Sequence, residues 1–189
     1  EILTSARLVS DTIGIMVGSL KTGVVLLRDL DDAVNSVKAV IATLDEPPRS
    51  PRSPRGQERT FDEAKDELND HAKAFAAAIK KVVIADKTNL VQIGNAAKEV
   101  AAAIPTLAQS CKVAAAVSSK EIGPQMMVHM KEIANGTKSL VQFAKTAASD
   151  NSQQASQGIQ ESFRSLTQSL GKMMDTAKQG AVGEIAIED

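Results

Sequence analysis

Residues 2–44 read ILTSARLVSDTIGIMVGSLKTGVVLLRDLDDAVNSVKAVIATL, and their apolar side chains recur at steps of three and four. This spacing keeps the apolar residues on one stripe of an α-helix. It predicts a first helix of about 44 residues and about 66 Å, which either overhangs its partners or bends near its glycines at positions 14, 18 and 23. Such a stripe requires partner helices, in the same chain or in another. The stripe consists of Ile2, Ala6, Val9, Ile13, Met16, Leu20, Leu27, Leu30, Val34, Val37, Ile41 and Leu44.

Four further amphipathic segments follow, at about residues 60–86, 89–117, 120–149 and 152–179. Thr60 followed by acidic residues is typical of a helix start, and Gly180 is typical of a helix end. Because short connections make successive helices antiparallel, the sequence predicts an all-α fold, an up-and-down antiparallel five-helix bundle with a long first helix. We expect residues 1–180 to form one domain and residues 181–189 to form a tail.

The composition excludes several classes of protein. Aromatic residues make up 2% of the chain, with no Trp or Tyr, and the net charge is −1. A sheet protein and a nucleic-acid-binding surface are therefore both disfavoured. No apolar run approaches the roughly 20 residues that a membrane span needs. A single cysteine fits a reducing, cytoplasmic compartment, and a chain that starts at Glu1 is expected to be part of a longer protein.

No pattern of catalytic or metal-ligating residues is present. His71 and His129 lie in different predicted helices, and no cysteine or carboxylate spacing typical of a metal site accompanies them. Cys111 falls on an apolar stripe, where a small buried hydrophobe is favoured over a nucleophile. The sequence therefore predicts a protein that is not an enzyme and has no cofactor or metal.

Residues 46–58 contain the proline-, arginine- and serine-rich stretch PPRSPRSPRGQ, which predicts a disordered loop between the first two helices. Ser50 and Ser53 each precede a proline in this basic setting and are candidate phosphorylation sites, because a phosphate would offset the local positive charge. The alternative is a spacer whose arginines only keep it soluble.

The third predicted helix carries the densest apolar face. Such a face can enter a groove between other helices or fill the core of its own bundle. Gly94 and Pro105 are expected to weaken the helix, by about 1 and about 3 kcal/mol relative to alanine. Lys98 is expected at the surface, where Lys98→Ala should neither unfold the bundle nor abolish binding of the helix. The candidate partner-binding residues on this face are Ile93, Ala96, Ala97, Val100, Ala101, Ile104, Leu107, Ala108 and Cys111.

These nine residues follow the pattern LxxAAxxVAxxVxxLIxxA with four replacements: Ile93 for the first leucine, Ile104 for a valine, Ala108 for the isoleucine and Cys111 for the last alanine. The chain thereby resembles the vinculin-binding helices of the talin rod, within the talin/vinculin/α-catenin group of cytoskeletal adhesion proteins. Focal-adhesion-targeting bundles share this packing style and are the second resemblance. The fourth helix matches the second half of the pattern more weakly, through Ile133, Ala134, Leu140, Val141 and Ala144.

The resemblance implies a non-catalytic cytoskeletal adhesion adaptor that binds protein helices, either a vinculin-like head or leucine/aspartate-rich motifs, with force-dependent release of the third helix. Two alternatives stay open. One is an oligomerisation module or actin-linked scaffold that pairs through the first helix. The other is a lipid-exchanging helical bundle, which the balanced charge disfavours.

Overall fold

The computed structural model describes residues 2–46, 60–85, 89–149 and 153–183. Within these ranges the chain forms five α-helices and no strand, so the predicted all-α bundle is confirmed. The candidate phosphorylation sites Ser50 and Ser53 lie outside the described residues. The helices are α1 (Ile2–Thr43), α2 (Phe61–Ile84), α3 (Leu90–Ala116), α4 (Ile122–Ser149) and α5 (Gln153–Gly183).

Side chains before the helices satisfy the first backbone N–H groups. Thr60 forms a capping box with Glu63: the Thr60 hydroxyl accepts from the Glu63 N–H at 3.3 Å, and the Glu63 carboxylate accepts from the Thr60 N–H at 3.3 Å. Asn89 accepts from the Gln92 N–H at 3.0 Å and caps α3. Ser119 accepts from the N–H of Ile122 at 3.3 Å and starts α4 in the same way. These caps explain why the predicted helix starts are close to the observed ones.

Helices α2, α3, α4 and α5 form a closed ring in which each contacts its neighbours in sequence and α5 returns to α2. Helix α1 packs on α3 and α4 instead of on α2. Side-chain bonds fix its direction. Asp29 meets Lys98 and the carbonyl of Thr43 meets Lys112, both 69 residues apart, so α1 is parallel to α3. Asp31 meets Lys145 and Asp45 meets Lys131, so α1 is antiparallel to α4.

The bundle has two apolar clusters. The main cluster fills the ring, and it includes Leu68 and Phe75 of α2, Ile104 of α3 and Met130 of α4, all fully buried. The second cluster lies between α1 and the ring. Its members are Leu26, Leu30, Val34 and Val37 of α1, Ala85, Ile93, Ala97 and Ala101, and Val141 and Ala144 of α4. The ring therefore has a main core, to which Val40, Ile41 and Leu44 also contribute at one end, and most of the packed part of α1 forms the second cluster with the ring.

Helix α1 is continuous over its 42 residues. Among its described side chains, Leu26 is buried, whereas Ile15 and Met16 are 71% and 62% exposed. The prediction that Met16 belongs to a buried stripe is therefore wrong, because the ring ends before that turn of α1. Leu27 is half-buried and Leu26 takes the inner position. The predicted stripe residues Ile2, Ala6, Val9, Ile13 and Leu20 have side chains outside those that the structure describes.

A proline in the middle of α3 and a glycine near the end of α5 both lie within continuous helix. Pro105 lies inside α3 on its exposed side, and the helix continues through it. Helix α5 continues past Gly180 to Gly183, so the predicted end at Gly180 is wrong. A Cβ on Gly180 would lie 2.8 Å from the ring of Phe61; the glycine lets α5 approach α2 closely. Among the described residues, no helix combines the length and the apolarity that a membrane crossing requires.

Candidate helix-binding surface

All nine candidate residues of α3 are buried, each at most 7% exposed. They divide between the two clusters. Ala96, Val100, Ile104, Leu107, Ala108 and Cys111 face the main core, whereas Ile93, Ala97 and Ala101 face α1. Because α3 contacts α1, α2 and α4, its face is covered on every apolar side in the closed bundle.

The weaker candidate set on α4 is also buried and is divided in the same way. Ile133, Ala134 and Leu140 belong to the main core, and Val141 and Ala144 belong to the second cluster. The structure thus brings together parts of both candidate sets. We call the apolar surface formed by Ile93, Ala97, Ala101, Val141 and Ala144 the α1 seat.

Four lysines of α3 and α4 bind α1, two of them beside the α1 seat and two near the C-terminal end of α1. The Nζ atom of Lys98 lies 2.5 Å from Asp29, and that of Lys145 lies 2.5 Å from Asp31. At the other end of α1, Lys131 lies 2.6 Å from Asp45. Lys112 donates to the carbonyl oxygen of Thr43.

Sequence reasoning missed these contacts: Lys98, expected at the surface, is half-exposed and pairs with Asp29 of α1. The signal that was available is the run LLRDLDD at residues 26–32, in which aspartates flank buried leucines. Which lysines these aspartates meet depends on the register between α1 and the ring, and the periodicity of a single helix does not give that register.

Comparison with known proteins identifies the family of this chain. The family model described as Talin IBS2B domain matches residues 27–179, which include the packed second half of α1 and the whole ring up to the last turn of α5. The chain belongs to the talin IBS2B family. The predicted talin rod-type bundle is therefore confirmed.

Two relatives extend the match to the first half of α1. Talin-A of Dictyostelium discoideum is 26% identical over 178 residues, which is 93% of this chain and 7% of the relative. Talin-B of the same organism is 23% identical over 182 residues, which is 95% of this chain and 7% of the relative. This talin IBS2B domain thus spans a small part of the length of the relatives it matches.

Cys111 of the talin IBS2B domain is a packing residue. Its thiol is buried and donates to the carbonyl oxygen of Met126 at 3.6 Å, which joins α3 to α4. Burial raises the pKa of the Cys111 thiol to about 12. Because the thiolate is the reactive form, the cysteine is inert in the closed domain.

The two histidines lie apart, as expected. His129 Nδ1 lies 3.3 Å from the Glu132 carboxylate, which also accepts from Ser169 of α5 at 3.1 Å. The hydrogen bond from His129 lowers the pKa of Glu132, and the bond from Ser169 and the charges of His129 and Lys172 add to this effect. His71 is half-buried, and its Nδ1 has no partner. Within the part of the chain that the structure describes, no group of three metal-ligating side chains converges.

Proposed function

We propose that this talin IBS2B domain is a non-catalytic adaptor module of cytoplasmic adhesion sites and that it binds helices of partner proteins. Its membership of the talin IBS2B family supports this proposal. The observation that carries it is the α3 face, on which nine apolar residues are buried along one uninterrupted helix. A face of this kind binds whatever apolar groove covers it.

The partner of the released α3 is a vinculin-like head that offers such a groove. While the domain is closed, α1, α2 and α4 occupy the face, so α3 must exchange its neighbours for the partner. Small domains are stable by only about 5–15 kcal/mol. Tension on the ends of the bundle, or a sufficiently tight competitor, therefore releases α3.

Binding of an α3 peptide to a vinculin-type head tests this proposal directly. We expect a peptide of residues 89–117 to bind, and its Val100→Asp variant to lose binding, because Val100 is fully buried in the face. The matched control is Gln109→Asp, which adds the same charge on the exposed side of α3. The intact domain should bind more weakly than the peptide, since only its open fraction is competent. A peptide that does not bind at high micromolar concentration would remove this proposal.

A second mode of binding leaves the ring closed. Short amphipathic helices rich in leucine and aspartate lie along two helices of a bundle and bury their leucines between them. The α1 seat, with lysines on both sides, is a surface of this kind.

The alternative function is pairing of two chains through α1. The observation that favours it is the exposed apolar surface on the first half of α1, which includes Ile15, Met16 and Val17. Static light scattering separates the two functions. A monomer at micromolar concentration supports the adaptor, and a dimer that Met16→Lys disrupts supports pairing.

A further inference from the structure

Helix α1 is an accessory to a ring that closes without it. Helix α5 returns to α2, where the ring of Phe61 packs against Gly180. Among the described residues, Leu44, which follows the last turn of α1, is enclosed in the main core, and Val40 and Ile41 of α1 pack against that core. The main contacts of α1 are with α3 and α4. Removal of α1 therefore uncovers the α1 seat and, in the ring core, the part that Val40, Ile41 and Leu44 cover, while the contacts among the four ring helices remain.

The α1 seat has the shape that a helix requires. Its floor consists mainly of small residues, with Ala97 and Ala101 on α3 facing Ala144 on α4. Beside them, Gly94 lies beneath Leu26, and a Cβ on Gly94 would lie 2.7 Å from the Leu26 Cδ1 atom. Small residues at such a contact allow the axes of two helices to approach closely.

The rim of the seat selects the charge of its occupant. Lys98 of α3 and Lys145 of α4 lie beside the seat, and Lys112 of α3 and Lys131 of α4 lie further along, against the C-terminal end of α1. Three of these lysines bind carboxylates of α1, namely Asp29, Asp31 and Asp45. A basic helix would meet like charges on both sides. An acidic helix with apolar residues at steps of three and four meets opposite charges.

We infer that the α1 seat is a binding surface for an acidic, leucine- and aspartate-patterned helix of a partner protein, and that α1 is its built-in occupant. The inference rests on the proposed leucine/aspartate binding and names both its location and its regulation. The residues 26–32, LLRDLDD, already carry the pattern that the seat accepts. A partner helix therefore competes with α1, and every contact that α1 loses is available to the partner.

The test weakens α1 in the full chain without touching the seat. The Asp29→Lys/Asp31→Lys chain places lysines opposite Lys98 and Lys145. The matched control is Asp32→Lys/Glu46→Lys, with the same change in net charge at two exposed carboxylates that pair with no described residue. The probe is a fluorescein-labelled, capped peptide of residues 24–45, whose binding is measured by anisotropy at low salt.

We expect the Asp29→Lys/Asp31→Lys chain to bind the probe at least about 10-fold more tightly than the wild-type and control chains do. A second chain, Lys98→Glu/Lys145→Glu, should reject this probe and bind a peptide that carries Asp29→Lys/Asp31→Lys. Such a reciprocal exchange identifies the lysines as the selective element of the seat. Circular dichroism should show that the ring helices persist in both variants.

Several results would overturn the inference. The inference fails if the control chain binds the probe as tightly as the Asp29→Lys/Asp31→Lys chain does, or if each chain binds both peptides equally. Either result would mean that Lys98 and Lys145 do not select the charge of the bound helix. Loss of cooperative unfolding in the Asp29→Lys/Asp31→Lys chain would mean that the ring does not persist without α1. A wild-type dimer that exchanges α1 would mean that a second copy occupies the seat. The α3 peptide titration uses neither α1 nor its seat, so the proposed vinculin-like binding and this inference can fail separately.

Discussion

Gly94 of α3 lies directly beneath Leu26 of α1, so that a Cβ built on Gly94 would be 2.7 Å from the Leu26 Cδ1 atom. Leu26 is buried at this contact and belongs to the second cluster. The glycine that the sequence marked as a weakness of α3 is therefore also the residue that lets α1 approach.

Replacing Gly94 with alanine should destabilise the domain. The helix gains about 1 kcal/mol from the substitution, but the overpacked contact with Leu26 costs about 1–3 kcal/mol. The control is Gly171→Ala on α5, where a Cβ meets nothing within 4 Å and the gain of about 1 kcal/mol should appear undiminished. Urea unfolding followed by circular dichroism measures both values. If the two variants were equally stabilised, Leu26 would not occupy this position.

A charge in the centre of α3 should destroy the bundle. Val100 is fully buried in the main core, and an unpaired carboxylate there costs about 3–5 kcal/mol. We expect Val100→Asp to lose cooperative thermal unfolding, and the exposed Gln109→Asp to keep it. A Val100→Asp domain with an unchanged melting temperature would contradict the core assignment of α3.

Thr137 has a buried hydroxyl with no hydrogen-bond partner among the described residues. An unsatisfied buried polar group costs about 1–3 kcal/mol, so Thr137→Val should stabilise the domain by about that amount. The control is Thr146→Val, because the exposed Thr146 hydroxyl already donates to the Gln142 carbonyl at 3.1 Å. Denaturant unfolding provides the measurement, and an unchanged midpoint in Thr137→Val would show that the hydroxyl is satisfied.

Glu132 should contribute a pH-dependent part of the stability. Its pKa is lowered in the folded state, first by the hydrogen bond with His129. The stabilisation is therefore present above the usual carboxyl pKa and is lost as the pH falls through the lowered value. We expect Glu132→Gln to be less stable than wild type at neutral pH, by less than about 1 kcal/mol because the pair is half-exposed, and the difference should disappear in acid. The control for the loss of one surface carboxylate is Glu161→Gln on the exposed face of α5.

Periodicity was sufficient to predict the interior of the ring. Phe61, Leu68, Phe75 and Val82 recur every seven residues in α2, and all four are buried. The periodicity predicts burial correctly here because the apolar face of a helix in the ring is covered by the adjacent helices along its length. In α1 the same rule predicted Met16 as buried, although that residue is exposed. Periodicity identifies a face but does not say how far a partner extends along it.

Contacts between helices were beyond the reach of the sequence pattern. The ion pair of Lys98 with Asp29 joins residues 69 positions apart, and its existence depends on the relative register of α1 and α3. That register is set by packing in the second cluster, including the small residues beneath Leu26. The candidate surface on α3 was predicted residue by residue, whereas the α1 seat and its lysines required the structure.

Cys111 should report the release of α3. It is the single cysteine of the chain, it is fully buried against Met126, and its pKa is raised to about 12 by that burial. Its reaction with a thiol reagent at neutral pH therefore requires opening of the α3–α4 contact. We expect labelling of the native domain to be slower than labelling of the urea-unfolded chain by a factor that follows the opening free energy.

A vinculin-type head that captures α3 through a face that includes Cys111 should keep the cysteine protected while the rest of the bundle opens. A helix that displaces only α1 should also leave its labelling rate unchanged, because Cys111 lies in the main core and not in the α1 seat. Labelling as fast as that of free cysteine in the native domain would contradict the closed packing of α3 and α4.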